Sequence, residues 1–446
     1  MSGSSGCASI VPPEGGPRDT IPPQLVKASP QDSTLNFNAK EIVLTFDELV
    51  DLKDITNNLL FTPTFGTNPA IVAKGRTLTI KFKEDLESNT TYVLNFGNAI
   101  VDINESNVLR NFVYTFSTGP VFDSLEIKGR VLLAETGGID STLIVVLHRQ
   151  LNDSAVRNNR PQYVVRLNQN GEFRFRYLPS DTFAVYAIGE AAASKRYQLS
   201  TQLFAFSNTT VIAGKADSVL LYAYRETTAV TAATIPNLSG RSNANDRRLR
   251  FNANEAQQDL LTDYLISFPV PLRNFDSTKI QLTTDSIFNQ TLYSVQLDST
   301  KKELRFKTTF KQNTKYNLIL QKDFAADTAG RQLLKTDTLF FTTKKAADYG
   351  NLSVRVKNID LSKNPVLQFV QNNIVVFSTS VKSGSFNKDL FLPGEYSLRI
   401  LFDENNNGKW DAGKFFGDKK QPEIVRPIQR TITIKPAWDN EFNLAL

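Results

Sequence analysis

The sequence predicts an all-β protein, a tandem array of four β-sandwich domains. Three observations predict it. Short runs of alternating apolar and polar residues recur along the chain, as in Leu78-Thr79-Ile80-Lys81-Phe82-Lys83, and each is closed by Asn, Gly, Asp or Pro. A period of two is the mark of a half-buried strand. The composition leans the same way, with 31 Phe and 13 Tyr against 2 Trp and 1 Met, since aromatic and β-branched residues fit a pleated surface. The length, 446 residues, exceeds what one sandwich needs and corresponds to about three or four domains of ordinary size.

Composition also narrows the chemistry. Hydrophobic residues make up 41% and charged residues 22%, as in an ordinary globular chain. No run approaches the roughly 18 apolar residues of a membrane-spanning helix. The net charge is +6, from 51 Lys and Arg against 45 Asp and Glu. These cations sit on alternate strand positions rather than along one stripe. That describes a solvated sheet face and gives no expectation of nucleic-acid binding. There is one cysteine, Cys7, and one histidine, His148. A Ser-His-Asp or Cys-His site would have to use His148, a zinc site with several His or Cys ligands is almost excluded, and no disulfide can form within the chain. His148 follows the apolar run Ile144-Val145-Val146-Leu147 and is expected to be a strand-end residue rather than a catalyst. Neither a phosphate-binding glycine loop nor a nucleophile elbow is present. No enzyme activity is expected.

Residues 1–24 are the N-terminal tether. Cys7 lies in Ser4-Ser5-Gly6-Cys7-Ala8-Ser9. Small residues before a lone cysteine resemble a bacterial lipobox. The resemblance implies signal-peptide cleavage before Cys7 and a diacylglycerol lipid on its sulfur. The charged and apolar leader does not precede it, so the start is placed late or the leader is trimmed. Met1-Ser2-Gly3-Ser4-Ser5-Gly6 also resembles a cloning scar, in which case Cys7 is incidental. Pro12, Pro13, Gly15, Gly16, Pro17, Pro22 and Pro23 then make a stiff, extended spacer of the kind that holds a domain away from a membrane.

Residues 25–119 and 248–344 are two copies of one module, at an offset of roughly 224 residues. The first reads Ile42-Val43-Leu44-Thr45-Phe46-Asp47-Glu48, then Asn89-Thr90-Thr91-Tyr92-Val93-Leu94, and closes with Tyr114-Thr115-Phe116-Ser117-Thr118. The second reads Tyr264-Leu265-Ile266-Ser267-Phe268, then Asn313-Thr314-Lys315-Tyr316-Asn317-Leu318, and closes with Phe340-Phe341-Thr342-Thr343. The loop Asp102-Ile103-Asn104 recurs as Asp327-Thr328-Ala329-Gly330. With Asp19-Thr20-Ile21-Pro22-Pro23 and Pro30, the first copy resembles the bacterial Ig-like domain of surface proteins. The second resembles it less closely, because Pro269 and Pro271 replace the acidic pair.

Residues 120–226 and 345–446 are copies of a second module. One carries Leu125-Glu126-Ile127-Lys128-Gly129-Arg130-Val131, Gly171-Glu172-Phe173, Leu178-Pro179 and Phe183-Ala184-Val185-Tyr186; the other carries Leu352-Ser353-Val354-Arg355-Val356, Gly384-Ser385-Phe386 and Leu392-Pro393-Gly394-Glu395-Tyr396. This pattern resembles the transthyretin-like or carboxypeptidase-regulatory-like sandwich, which implies a non-enzymatic spacer or recognition unit. Residues 227–247, rich in Ala, Thr, Asn and Ser, form the expected linker between the halves. The whole order resembles the Ig-like-domain lipoproteins of the outer envelope of Bacteroidota-type bacteria.

One constellation has recognisable chemistry. Residues 403–411 read Asp-Glu-Asn-Asn-Asn-Gly-Lys-Trp-Asp, the D-x-N-x-N-G-x-x-D form of a calcium loop. Oxygens at alternate positions converge when such a backbone curls, and the glycine permits the turn. Asp403, Asn405, Asn407 and Asp411 would bind Ca2+ through side chains and Lys409 through its carbonyl. Lys414 stands where an EF-hand has its bidentate glutamate, so a weak site is expected, finished by Asp418, Glu404 or water. The alternative is an Asx-turn hairpin that needs no metal. Asp47, Glu48 and Asp51 are expected to be solvated carboxylates.

These features imply a non-catalytic, lipid-anchored cell-envelope protein. It is expected to serve as a structural adaptor or accessory subunit of an outer-membrane complex, for protein assembly or export. Its partner would be an outer-membrane protein or another envelope lipoprotein, on the cell surface or the periplasmic face. The alternative is carbohydrate or matrix adhesion, with glycans as partners and Trp410 or Trp438 as a stacking platform.

Overall fold

Alternation along the sequence becomes alternation in burial. In the strand Glu41–Phe46 the side chains of Ile42, Leu44 and Phe46 are buried, and Val43 and Thr45 are half exposed. Its antiparallel neighbour Thr77–Lys81 sets Leu78 opposite Leu44 and Ile80 opposite Ile42, so the apolar residues of both strands share one face. The computed structural model describes residues 18–189, 194–215, 217–227, 248–253, 257–284 and 289–446. Cys7 and almost all of the expected linker lie outside the described residues. The chain is a nearly all-β tandem array of sandwiches. It folds as two compact units, Met1–Ala229 with Lys409–Val425 and Val230–Gly408 with Arg426–Leu446.

In the first unit, the strands Leu25–Ser29, Glu41–Phe46, Thr77–Lys81 and Ala70–Lys74 form one sheet in that spatial order. Leu60–Thr62, Thr91–Gly97 and Phe112–Ser117 form a second. One core joins them, filled by Phe37, Phe46, Phe61, Phe65, Phe96 and Phe116. Each such ring contributes about 2–3 kcal/mol of burial. Tyr92 stacks on Phe116 with ring centroids 5.2 Å apart.

The next sandwich has the sheet Glu172–Leu178, Leu125–Leu133, Val219–Ala223, whose last pair is parallel, and the sheet Tyr163–Arg166, Ile144–His148, Thr182–Ile188, Phe204–Phe206. Gly129 sits where the parallel neighbour passes: a Cβ there would lie 2.1 Å from the Val219 carbonyl oxygen and 2.5 Å from the Phe173 ring. Only glycine admits that approach.

The second unit repeats both plans. Tyr316 stacks on Phe341 at 5.5 Å, as Tyr92 does on Phe116. The Tyr92 hydroxyl accepts from Glu87 N at 2.8 Å, and the Tyr316 hydroxyl accepts from Lys311 N at 3.0 Å. Asn89 and Asn313 both take the left-handed conformation, each with φ of 49°. Gly350–Lys357 pairs antiparallel with Ser385–Phe391 and parallel with Asp439–Ala445, the arrangement of Leu125–Leu133 between its own two neighbours.

Lys409–Val425 was expected to belong to the last sandwich, and it is part of the first unit instead. The reason is apolar. Phe415 is buried against Tyr186, Phe204 and Phe206, with ring centroids 5.6, 5.0 and 5.0 Å away. These rings lie on the outer face of the sheet that contains Thr182–Ile188 and Phe204–Phe206, which would otherwise meet water.

Candidate functional site

The expected metal ligands fall into two groups. Asp403, Asn405 and Asn407 belong to the second unit. The Asp403 side chain is buried and turned into its own loop: one carboxylate oxygen accepts from Asn407 N at 3.1 Å and the other from Gly408 N at 2.6 Å. Asn405 Oδ1 accepts from the same Asn407 N at 3.1 Å. The curl needs left-handed residues, and Asn406 and Gly408 supply them with φ of 58° and 77°. Each Asp403 oxygen retains a second lone pair. An all-oxygen set of a carboxylate and carboxamides suits a hard cation such as Ca2+.

Lys409 and Asp411 belong to the segment included in the first unit. Asp411 N donates to the Glu423 carboxylate at 3.0 Å, and Glu423 N returns to the Asp411 carbonyl at 3.1 Å. Trp410 Nε1 donates to the Glu423 carbonyl at 2.8 Å. Glu423 is buried, and sequence reasoning missed it, since nothing in Gln421-Pro422-Glu423 marks a carboxylate that closes a loop twelve residues earlier. Among the described residues no cluster of three or more His, Cys, Asp or Glu side chains is placed to hold a metal. Trp410 anchors its loop, while Trp438 is 61% exposed beneath the Lys435 ammonium.

The other carboxylates brace turns. Asp102 is buried and accepts from Glu105 N, Ser106 N and Asn107 N at 2.6, 2.9 and 2.8 Å. Burial alone would raise its pKa; the N–H groups of Asn107, Glu105, Ser106 and Asn104 together outweigh it and hold the carboxyl below its usual value. Asp47 accepts from Gln24 N and Asp51 from Leu52 N, each at 2.8 Å. Glu48 is raised, by partial burial and then by Asp102, Asp47, Asp19 and Glu105.

His148 ends its strand as expected, but it is fully buried, and neither ring nitrogen has a hydrogen-bond partner among the described residues. Burial, then the nearby Arg196 charge, pushes its pKa down to about 4. It is a neutral packing residue, edge-on to Tyr186 at 5.8 Å.

A wide cleft was not foreseen. It lies within the first unit and holds about 1060 Å³. Lys128, Arg130, Arg174 and Arg176 line it from one sheet together with Glu172, and Arg166 from the neighbouring sheet; Glu172 is the one carboxylate among the described lining residues. Facing them are Asn95, Asn98, Asn111 and Thr115. The available sequence signal was Arg174-Phe175-Arg176, two cations that a strand must place on one face.

No curated protein sequence matches the chain. Solved structures with some likeness include the major pilin subunit BcpA of Bacillus cereus, at 9% identity over 72% of this chain and 99% of that one, with a TM-score of 0.18. The TIE protein of Bacillus anthracis is 10% identical over 97% of this chain and 75% of that one, with a TM-score of 0.18. The BSP domain of a biofilm-associated protein is 9% identical over 91% and 95%, with a TM-score of 0.16. Likeness at this level carries no functional inference. The family model for the bacterial Ig-like domain matches residues 19–118, so this part of the chain is similar to a bacterial Ig-like domain.

Proposed function

We propose that this chain is a non-catalytic structural protein of the bacterial cell envelope, a row of Ig-like and regulatory-like sandwiches that holds a partner at strand edges and loop tips. The observation that carries the reading is the paired bracing at Tyr92 and Tyr316. Each tyrosine stacks on a core ring and pins the turn five residues before it through its hydroxyl. Repeating a braced module is how a chain gains reach without losing stiffness. The bacterial Ig-like match supports the same reading. A lipid on Cys7 would anchor the array at the outer membrane, and Pro12 to Pro23 would space it from the surface. Calcium at the loop beginning with Asp403, Asn405 and Asn407 would stiffen one turn; the metal brings charge neutralisation and rigidity, while the chain supplies the oxygens.

The test is a tagged pull-down from gently solubilised outer membranes with the leader-bearing protein. The expected result is a stoichiometric outer-membrane or lipoprotein partner, with the chain itself released from the membrane fraction by Cys7→Ser. Recovery of the protein alone, in both forms, would end the adaptor reading. A cationic, carboxamide-lined cleft favours the second expectation, binding of carbohydrate.

A further inference from the structure

Lys128 and Arg174 stand directly opposite each other across an antiparallel strand pair. Arg176 follows two residues along, on the same outward face. Like charges placed opposite in a sheet destabilise it, so the arrangement breaks a local rule. Arg174 has compensation: Glu126 takes its Nε at 2.7 Å and its Nη2 at 2.6 Å. Arg130 donates to the Asn170 carbonyl at 3.0 Å, and Arg166 to the carbonyls of Asn57 and Asn58. Lys128 and Arg176 have no hydrogen-bond or ion-pair partner among the described residues. Two uncompensated cations therefore line a cleft whose only lining carboxylate is Glu172.

The opposite wall is neutral. It is the face of the sheet of Thr91–Gly97 and Phe112–Ser117, whose backbone groups already pair with each other. What it offers is side chains: Asn95 and Thr115 from the strands, Asn98 and Asn111 from the two ends of the connection between them. A carboxamide donates and accepts at once, which is what a sugar hydroxyl requires. Phosphates are typically seated on helix N-termini or nests of backbone N–H groups, and strands build both walls here. Planar guanidinium forks match carboxylates and phosphates alike; the pair of Arg174 with Glu126 shows the carboxylate form in place.

We infer that this cleft binds a carboxylated glycan strand, a uronate-bearing polysaccharide, with carboxylates on Lys128 and Arg176 and hydroxyls on Asn98 and Asn111. The inference rests on the carbohydrate reading above and names its site and ligand class.

The test is calorimetric titration of the full chain with an oligogalacturonate, with its methyl ester, with an oligoglutamate of equal length and with single-stranded DNA. The oligogalacturonate is expected to bind, and the ester to bind at least about tenfold more weakly, a difference of 1.4 kcal/mol. Lys128→Ala with Arg176→Ala should weaken binding by about tenfold or more. Thr115→Glu, on the neutral wall, should do the same while leaving both cations in place. Melting temperatures of the variants would confirm that the fold is kept. Equal binding of acid and ester would overturn the carboxylate while sparing the carbohydrate reading; no binding of either would overturn both. Oligoglutamate or DNA binding as tightly as the glycan would reduce the cleft to a general anion site and overturn the inference.

Discussion

The ring of Phe415 meets the ring of Phe204 edge-on, at 5.0 Å between centroids. Phe415 comes from a late segment of the chain and Phe204 from an early strand, and the contact completes a core of the first unit. Phe415 N also donates to the Glu226 carboxylate at 3.0 Å, and Lys419 pairs with Asp153 at 2.7 Å. Phe415→Ala should therefore cost the first unit about 3–5 kcal/mol, the usual cost of emptying a buried aromatic site. Trp410, in the same segment, reports the transition by fluorescence once the exposed Trp438 is changed to Phe. An unfolding midpoint unmoved by Phe415→Ala would mean that the segment covers the sheet without stabilising it.

The two copies of the first repeated module hold their equivalent turns with equivalent aspartates. Asp102 collects three backbone N–H groups, and Asp327 collects Ala329 N, Arg331 N and Arg331 Nε at 2.9, 2.9 and 2.7 Å. Asp102→Ala strands three donors and should cost about 2–4 kcal/mol, with Asp102→Asn costing less. The Asp102 pKa is lower in the folded protein than in the unfolded chain. Its contribution is present above about pH 4, the unfolded value, and is lost as pH falls through the folded value. The stability gap between the natural protein and Asp102→Asn should thus be full at neutral pH and close in acid. A gap independent of pH would show that the charge plays no part.

Much of this was legible in the sequence. The alternation in Ile42-Val43-Leu44-Thr45-Phe46 reads as a strand, and the repeat matched the loop that opens at Asp102 with the one that opens at Asp327. What was not legible depends on distant partners. Nothing local to Gly413-Lys414-Phe415-Phe416 says that these rings cover Tyr186 and Phe204 rather than their own sandwich. Glu423 is an ordinary surface residue by sequence and becomes the acceptor for Asp411 N only through the loop that intervenes. The cationic cleft failed to register because its cations are spread over strands far apart in sequence, Lys128 and Arg176 among them. Only the pairing register puts Lys128 opposite Arg174.

Calcium can be tested at Asp403 without reference to any partner. If the loop takes the metal, millimolar Ca2+ should raise the melting temperature relative to chelator, as binding to the folded state alone requires. Asp403→Asn removes a charge while keeping the oxygen that accepts from Asn407 N or Gly408 N, so it should retain the turn and lose the calcium response. Equal melting in calcium and in chelator for the natural protein would leave the loop as a hydrogen-bonded turn.

His148 sets a pH limit on the first unit. Its ring is buried without a hydrogen-bond partner among the described residues, with Arg196 as the nearby charge. The Tyr186 hydroxyl is pushed up to about 12 by burial, so Tyr186 stays neutral across the range in question. The folded pKa of His148 is about 4, against about 6.5 in an unfolded chain. Between these values the unfolded state binds a proton that the folded state refuses. Stability is therefore greatest above about pH 6.5 and falls as pH drops toward 4, by about 3 kcal/mol. His148→Phe removes the titrating group and keeps a ring beside Tyr186. It should flatten the stability profile between neutral and mildly acidic pH, while stability at neutral pH stays the same or rises. A profile as steep in His148→Phe as in the natural protein would assign the acid sensitivity to the carboxylates instead.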